Sequence, residues 1–329
     1  MPGIDQQARL ALAKRAELLQ QIRSFFASAD VMEVDPPVLG RYGVTDVHID
    51  CIPAAVAGTT GYLPSSPEFF MKRLLAAGSG AIYYLGKVFR SEELGRRHRP
   101  EFTMIEWYRP GWDEVQLIDE VAALCETLNP AWGQGVTLCY GEVFEATLGL
   151  NPHRASAAEL AASAAVHCGG DWREEPVSTL LDLLFSTQVE PRLPSGLVFI
   201  RDYPQCQSAL ARLDTNADGE CIARRFEVFI DRMEVGNGYF ELTDAAEQAA
   251  RFAADRAARQ DAGRRAMAAD TRLLAALEQG LPACAGVAVG FDRLLMQLLK
   301  APTIAQVMPF GDEWEERQAS DASWHPFNP

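Results

Sequence analysis

One hairpin-like stretch constrains this chain more than any other feature. Val88-Phe89-Arg90-Ser91-Glu92-Glu93 runs into a loop holding Arg96, Arg97, His98 and Arg99, and Glu101-Phe102-Thr103-Met104-Ile105-Glu106-Trp107-Tyr108 follows it. The pattern predicts two strands, over 81–90 and 101–109. A period of two then sets Phe102, Met104, Glu106 and Tyr108 on one face of the second strand and Thr103, Ile105 and Trp107 on the other. One face reads as apolar core. The other presents an aromatic plate, a carboxylate and a phenol in a row, beside a loop of four cationic or titratable side chains. Such a surface suits an anionic nucleotide and an ammonium. The same spacing also suits an amphipathic hairpin with a solvated charged loop, and the residues alone leave both open.

A second pattern lies in Arg225-Phe226-Glu227-Val228-Phe229-Ile230-Asp231-Arg232-Met233-Glu234 and its continuation through Val235, Asn237 and Glu241. If Asp231-Arg232 is a two-residue turn, Phe229 pairs with Glu234. Glu227 then lies on the same face, diagonal to Glu234 at roughly 7–8 Å. Two such carboxylates can share a hard cation, because Mg²⁺ commonly takes one or two carboxylates plus phosphate oxygens. Two surface glutamates on an exposed sheet face are the other reading. A third pattern, Gly286-Val287-Ala288-Val289-Gly290-Phe291-Asp292-Arg293, reads as a strand passing through glycine into an apolar helix. Its glycines permit close backbone approach, and Arg293 near the helix start adds charge to the amide donors there for phosphate binding. A packing turn between strand and helix is the alternative. The pattern matches neither a dinucleotide-binding loop nor a P-loop. Asp214-Thr215-Asn216-Ala217-Asp218-Gly219 opens like a calcium loop, but Arg225 stands where a bidentate glutamate is needed, so a polar turn is expected.

Elsewhere Leu18, Leu19, Ile22, Phe25 and Phe26 form one helical face, which predicts a helix over 6–29. A strand is expected over 31–39, confined to an edge or interface by Pro36-Pro37. Further helices are expected at 67–77, 113–128 and 247–279, with a capping box at Ser156-Ala157-Ala158-Glu159 and short strands at 196–200 and 225–230. This mixture predicts an α+β fold, an antiparallel sheet flanked by helices. One domain is expected over 1–329, with an inserted helical portion near 145–215. The 30 Lys and Arg against 45 Asp and Glu give a formal net charge of −15, which argues against a nucleic-acid-binding or anionic-membrane surface. Seven scattered cysteines without a C-x-x-C pair indicate neither zinc nor a disulfide framework. No leader-like start and no apolar run near the roughly 20 residues of a membrane span are present, so a cytoplasmic location is expected.

Taken together the patterns become specific. Val34-Asp35-Pro36-Pro37-Val38-Leu39, the 89–108 hairpin and Gly286 to Arg293 stand in the order of the three class II aminoacyl-tRNA synthetase motifs, and the chain resembles that family over nearly its whole length. Ser66-Pro67-Glu68, Arg-Phe-Glu-Val-Phe at 225–229 and Glu-Val-Gly-Asn-Gly-Tyr-Phe-Glu-Leu at 234–242 resemble its lysyl branch. Lysyl-tRNA synthetases carry an anticodon-binding OB-fold domain before the catalytic one. Here the first motif's helix is expected from residue 6, which predicts a free-standing catalytic domain. That arrangement, the acidic balance and Ala288 where the synthetases have glycine resemble the paralogous ligases that attach (R)-β-lysine to a lysine of elongation factor P.

The resemblance implies the class II catalytic fold and two-step acyl transfer. (R)-β-lysine or lysine is activated by ATP with Mg²⁺ as an aminoacyl-adenylate and transferred to elongation factor P. It implies a homodimer through the Pro37 edge, with neither tRNA nor membrane as partner. By position, Arg90 holds the α-phosphate and the substrate carboxylate, and Arg293 joins it as a catalytic group. Glu92 meets the adenine, Phe102 and Arg293 sandwich the ring, and Val235 joins Glu234 in the ATP site. Gly290 leaves room for ATP. His98 reaches the terminal phosphates, with Arg99 where the family has asparagine. Glu227 and Glu234 are the implied Mg²⁺ ligands, and Tyr108 and Glu241 receive the substrate's side-chain ammonium. Ser66, Pro67 and Glu68 line its backbone end, and Glu106, Asn237 and Ala288 complete the pocket. The rivals are a minimal lysyl-tRNA synthetase and a non-catalytic amino-acid sensor; intact Arg90, Glu227, Glu234 and Arg293 count against the sensor.

Overall fold

The computed structural model describes residues 6–91 and 93–313. The chain begins with α1 (Gln6–Ser28), β1 (Met32–Glu33), β2 (Ile52–Val56), β3 (Thr59–Leu63), α2 (Glu68–Ala76), β4 (Ile82–Phe89), β5 (Glu101–Pro110) and α3 (Glu114–Leu128). It continues through β6 (Val136–Cys139), α4 (Tyr140–Leu148), α5 (Ala157–Cys168), α6 (Val177–Leu184), β7 (Leu197–Pro204), β8 (Leu213–Thr215), β9 (Cys221–Ile230) and β10 (Met233–Phe240). It closes with α7 (Ala245–Asp261), α8 (Thr271–Gly280), β11 (Cys284–Gly290) and α9 (Phe291–Leu299). Among the described residues the main sheet has nine strands in the order β1-β4-β5-β11-β10-β9-β7-β6, with β8 on β9. Its interior pairs are antiparallel; β1 with β4 and β6 with β7, at the two edges, are parallel.

Local chemistry accounts for most boundaries. Asp113 and Ser156 cap α3 and α5 in full capping boxes, Gln116 and Glu159 reaching back to the cap amides. Asp231 and Arg232 take φ 49° and 65°, a left-handed pair that turns β9 into β10 and pairs Phe229 with Glu234 as expected. A bulge between Glu234 and Gly236 then sets Asn237 opposite Glu227. The strand expected over 31–39 is cut to Met32–Glu33, because prolines 36 and 37 have no N–H to extend a ladder. Helix 247–279 is two helices: Gly263 at φ 66° ends the first stretch and the Asp270 side chain caps the second. Within 145–215, α5 and α6 are helical, but β7 joins the main sheet. The calcium-loop-like segment is a polar turn between β8 and β9 that closes on the Asn216 side chain. The seven cysteines are free thiols, and no helix among the described residues is long and apolar enough to cross a membrane.

The two faces of the sheet are covered differently. On one, Ile105, Trp107, Phe226, Val228 and Val287 pack under Leu18 and Phe26 of α1, Leu117 and Val121 of α3 and Leu294 of α9. Each such side chain removed from water contributes about 1.5–3 kcal/mol. The other face has two separate covers. Met71 and Leu75 of α2, Phe252 of α7 and Leu273 of α8 lie over Ile82, Met104 and Cys284. Phe144 of α4, Leu160 of α5 and Leu180 of α6 lie over Val198, Ile200 and Phe229. Between the covers the central strands are left open, and a cavity of about 790 Å³ stands there, within the usual range for a small-molecule site.

Candidate active site

Registered neighbours in a sheet point the same way, so the pairing assembles the site in rows. Tyr84, Glu106, Ala288, Asn237 and Glu227 form one row across β4, β5, β11, β10 and β9. Ile82, Tyr108, Gly286, Tyr239 and Arg225 form the next. Gly286 is required there: a Cβ would collide with the Tyr108 ring and with Glu241 Oε1. The expected substrate residues Ser66, Glu68, Glu106, Tyr108, Asn237, Glu241 and Ala288 all border the cavity, and Pro67 starts the helix that carries Glu68.

One end of the cavity is a carboxylate cluster. The Ser66 hydroxyl donates to Glu106 at 2.6 Å and the Tyr108 phenol donates to its other oxygen at 2.8 Å. The Glu68 amide donates back to Ser66 Oγ at 3.0 Å. Burial, then the charge of Glu68, pushes Glu106 up to about 8. Beside it the Lys72 ammonium, 1% exposed, lies 2.6 Å from Glu68 and 2.6 Å from Glu241. Burial works against its charge, but the two carboxylates outweigh burial and hold Lys72 protonated. Burial pushes Glu241 up to about 7, with Lys72 opposing. Lys72 is absent from the sequence reading, although its i+4 position after Glu68 on an expected helix is the signal that marks such a pair.

The other end is cationic. The Arg90 guanidinium stands 5.2 Å over the Phe102 ring and donates to Glu93 at 2.9 Å, while its buried Nε has no partner among the described residues. Arg293 donates to the Glu234 carbonyl at 2.9 Å and contacts His98 Nε2 at 2.5 Å. Burial and then the Arg293 charge depress the His98 pKa, so the neutral ring accepts this N–H. Phe102 and Arg293, the expected adenine sandwich, both border the cavity; here Arg90 stands over Phe102, and Arg293 contacts Glu234 and His98. A Cβ on Gly290 would meet only ordinary contacts at 3.7 Å, from Arg293 and the Val235 carbonyl. Val235 packs its side chain into the core behind the sheet and offers the cavity backbone alone.

Arg97, His98 and Arg99 of the basic loop all border the cavity. Arg99 is buried and donates to the carbonyls of Gly95 at 2.7 Å, His98 at 2.9 Å and Gly311 at 2.8 Å, bracing the loop. Arg97 pairs with Glu190 at 3.6 Å. Glu92, expected at the adenine, lies outside the described residues. Asp292 is a support the sequence reading missed. It is buried, accepts from Arg15 at 2.5 Å and from the Thr103 amide at 2.6 Å, and so ties α1, β5 and the start of α9 together beneath Arg293. Arg259, fully buried in α7, donates to the Ile49 carbonyl at 3.2 Å, also binds Asp50, and holds the 41–51 loop over the cavity.

Glu227 and Glu234 are the expected metal ligands. Glu227 is paired with Arg225 at 2.5 Å, and burial, opposed by Arg225 and helped by the charge of Glu234, raises it to about 7. Arg225 also donates to Asn237 at 3.2 Å. Among the described residues no group of three or more metal-ligating side chains occurs. Glu234 borders the cavity, where one carboxylate with phosphate oxygens and water is a donor set that suits Mg²⁺, whereas Glu227 stands behind the wall on Arg225.

Comparison with known proteins matches residues 4–313 to the class II tRNA synthetases (D, K and N). A protein of Mannheimia succiniciproducens named elongation factor P–(R)-beta-lysine ligase is 45% identical over 310 residues, 91% of this chain and 94% of that protein. Proteins of the same name from Vibrio cholerae and Pasteurella multocida are 45% and 43% identical, over 91% and 92% of this chain and 94% and 95% of theirs.

Proposed function

The chain belongs to the class II tRNA synthetase family of the D, K and N type, and from that premise we propose that it is an ATP-dependent ligase acting on elongation factor P. Its substrate is (R)-β-lysine or lysine, activated as an aminoacyl-adenylate and passed to a lysine side chain of that protein. The observation that carries this reading is the division of charge in the cavity. Arg90 stands over Phe102, and Glu106 lies four residues further along the same strand face with Glu68 and Glu241 beside it. A polyphosphate belongs with the cations and a diamino acid with the carboxylates. The carboxylate to be activated then lies between them.

In the first half-reaction a carboxylate oxygen of the amino acid attacks the α-phosphorus of ATP, and the bond to the bridging oxygen breaks to release pyrophosphate. Arg90 and Arg293 orient the phosphate oxygens for in-line attack and offset their charge. Glu227 and Glu234 are the residues that would hold Mg²⁺, which when bound adds positive charge at the phosphates. Glu106, Tyr108 and Glu241 fix the ammonium groups and with them the carboxylate. In the second half-reaction a neutral lysine ε-amine of the acceptor attacks the acyl carbon. The bond to AMP breaks, the amide forms and the amine's surplus proton passes to solvent. The same reading includes one catalytic domain over 1–329 with an inserted portion near 145–215, a two-fold homodimer across the Pro36-Pro37 edge, and a cytoplasmic location.

The test supplies ATP, Mg²⁺ and (R)-β-lysine or lysine, with elongation factor P or bulk tRNA as acceptor, and measures acceptor mass. One added lysyl unit on elongation factor P is expected. Acylated tRNA beside unmodified protein would make the chain a minimal synthetase, and absence of ATP–pyrophosphate exchange with every lysine isomer would make it a sensor.

A further inference from the structure

Among the described residues Lys72 is the one buried cation of the carboxylate cluster, and it is not part of the cavity wall. Glu68 and Glu241 line the cavity; Lys72 sits behind them on α2, 1% exposed, 2.6 Å from each. Its ammonium engages Oε1 of Glu68 and Oε2 of Glu241, and Glu241 Oε1 is buried with no hydrogen-bond partner. Around this trio stand Glu106 and Tyr108 from β5, Tyr239 from β10 and Cys284 from β11. All four are neutral or anionic, and among the described residues Lys72 is the cation paired with Glu68 and Glu241.

Glu241 is buried, and both its burial and the neighbouring charge of Glu68 work against its ionisation, with the Lys72 charge opposing them. A protonated carboxyl donates a hydrogen bond where an ammonium ligand needs an acceptor. We propose that Lys72 is a positioning residue of the amino-acid subsite, which favours the ionised form of Glu241 beside Glu68 and leaves the free Glu241 oxygen to receive a substrate ammonium. The trio then carries one net negative charge, so a side chain bringing an ammonium is matched and a neutral one leaves that charge unpaired. This specificity rests on the lysine-type substrate proposed above.

The experiment uses the full chain as wild type, Lys72→Met, Lys72→Arg and the charge-balanced double variant Lys72→Met/Glu68→Gln. The Glu241 titration is followed by carboxyl ¹³C NMR, with the signal assigned through Glu241→Gln, a readout that needs no activity. KM for (R)-β-lysine and for ATP is measured by ATP–pyrophosphate exchange from about pH 6 to 9. In Lys72→Met, Glu241 should titrate at least about one unit higher, which is tenfold in the ratio of ionised to protonated carboxyl. KM for (R)-β-lysine should rise about fivefold or more at pH 7 and recover toward pH 9, while KM for ATP stays within about twofold. Lys72→Arg should retain most of the affinity, and the double variant should regain part of it. These two also carry the test should Lys72→Met not fold. An unmoved Glu241 titration, a (R)-β-lysine KM that is unchanged or lower, or an equal rise in both KM values overturns the inference. If the wild type shows no exchange with any lysine isomer, the proposed activity fails, and the titration alone then decides whether Lys72 governs Glu241.

Discussion

On one side of β5, Ile105 and Trp107 are sealed beneath α1, α3 and α9; on the other, Glu106 and Tyr108 bond to each other above a cavity. Both sets are 3% exposed or less. The first set is stabilised by area removed from water, a non-directional effect that tolerates any well-packed apolar neighbour. The second is tolerated only because each polar atom meets a partner of the right sense, since an unsatisfied buried group costs about 1–3 kcal/mol. The strand therefore carries stability on one face and recognition on the other, and substitutions on the two faces should separate these properties.

The largest effect on the packed face is expected from Trp107→Ala. It should lower stability by about 3–5 kcal/mol through the cavity it leaves, read as a reduced urea midpoint; the Glu120 carboxylate that accepts the Trp107 N–H keeps its Arg109 partner. A loss under about 1 kcal/mol would mean that this face is not the main core. On the open face, Arg90→Ala should cut ATP–pyrophosphate exchange by about 10²–10³ and leave the melting temperature nearly unchanged. An equal fall in both would erase the contrast between the faces. The smallest effect is one of pH. Glu106 is raised from 4.5 to about 8 in the folded chain, so the native state keeps a proton that the unfolded chain releases. Its stabilising contribution is present below about pH 4.5 and is lost as pH rises toward 8. The melting temperature of the ligand-free protein should fall over that window, and Glu106→Gln should flatten the fall. An unchanged slope in the variant would remove Glu106 as the cause.

Much of the frame is legible along the chain, since it depends on neighbours two to four residues apart. The alternation from Phe102 to Tyr108 sorts the faces of β5, Asp231-Arg232 turns the hairpin, and Ser156 with Glu159 opens α5. Both carboxylates of the 227–241 stretch that line the cavity, Glu234 and Glu241, stand out by residue type. Partnership across long separations is not legible in this way. Arg99 borders the cavity and is also braced by the Gly311 carbonyl, far along the chain, a partner no local pattern announces. Arg293 is likewise turned to His98 and Glu234.

By itself, then, the sequence determined the alternating strands, the caps and turns, and which residue types could form a site, because backbone geometry and hydrophobic period act over a few residues. Only the tertiary structure decided the bulge that sets Asn237 against Glu227, the burial of Lys72 between Glu68 and Glu241, and the clamp of Asp292 on Arg15 and the Thr103 amide. Those depend on which distant charges share a low-dielectric space, and that is set when the helices close over the two faces of the sheet.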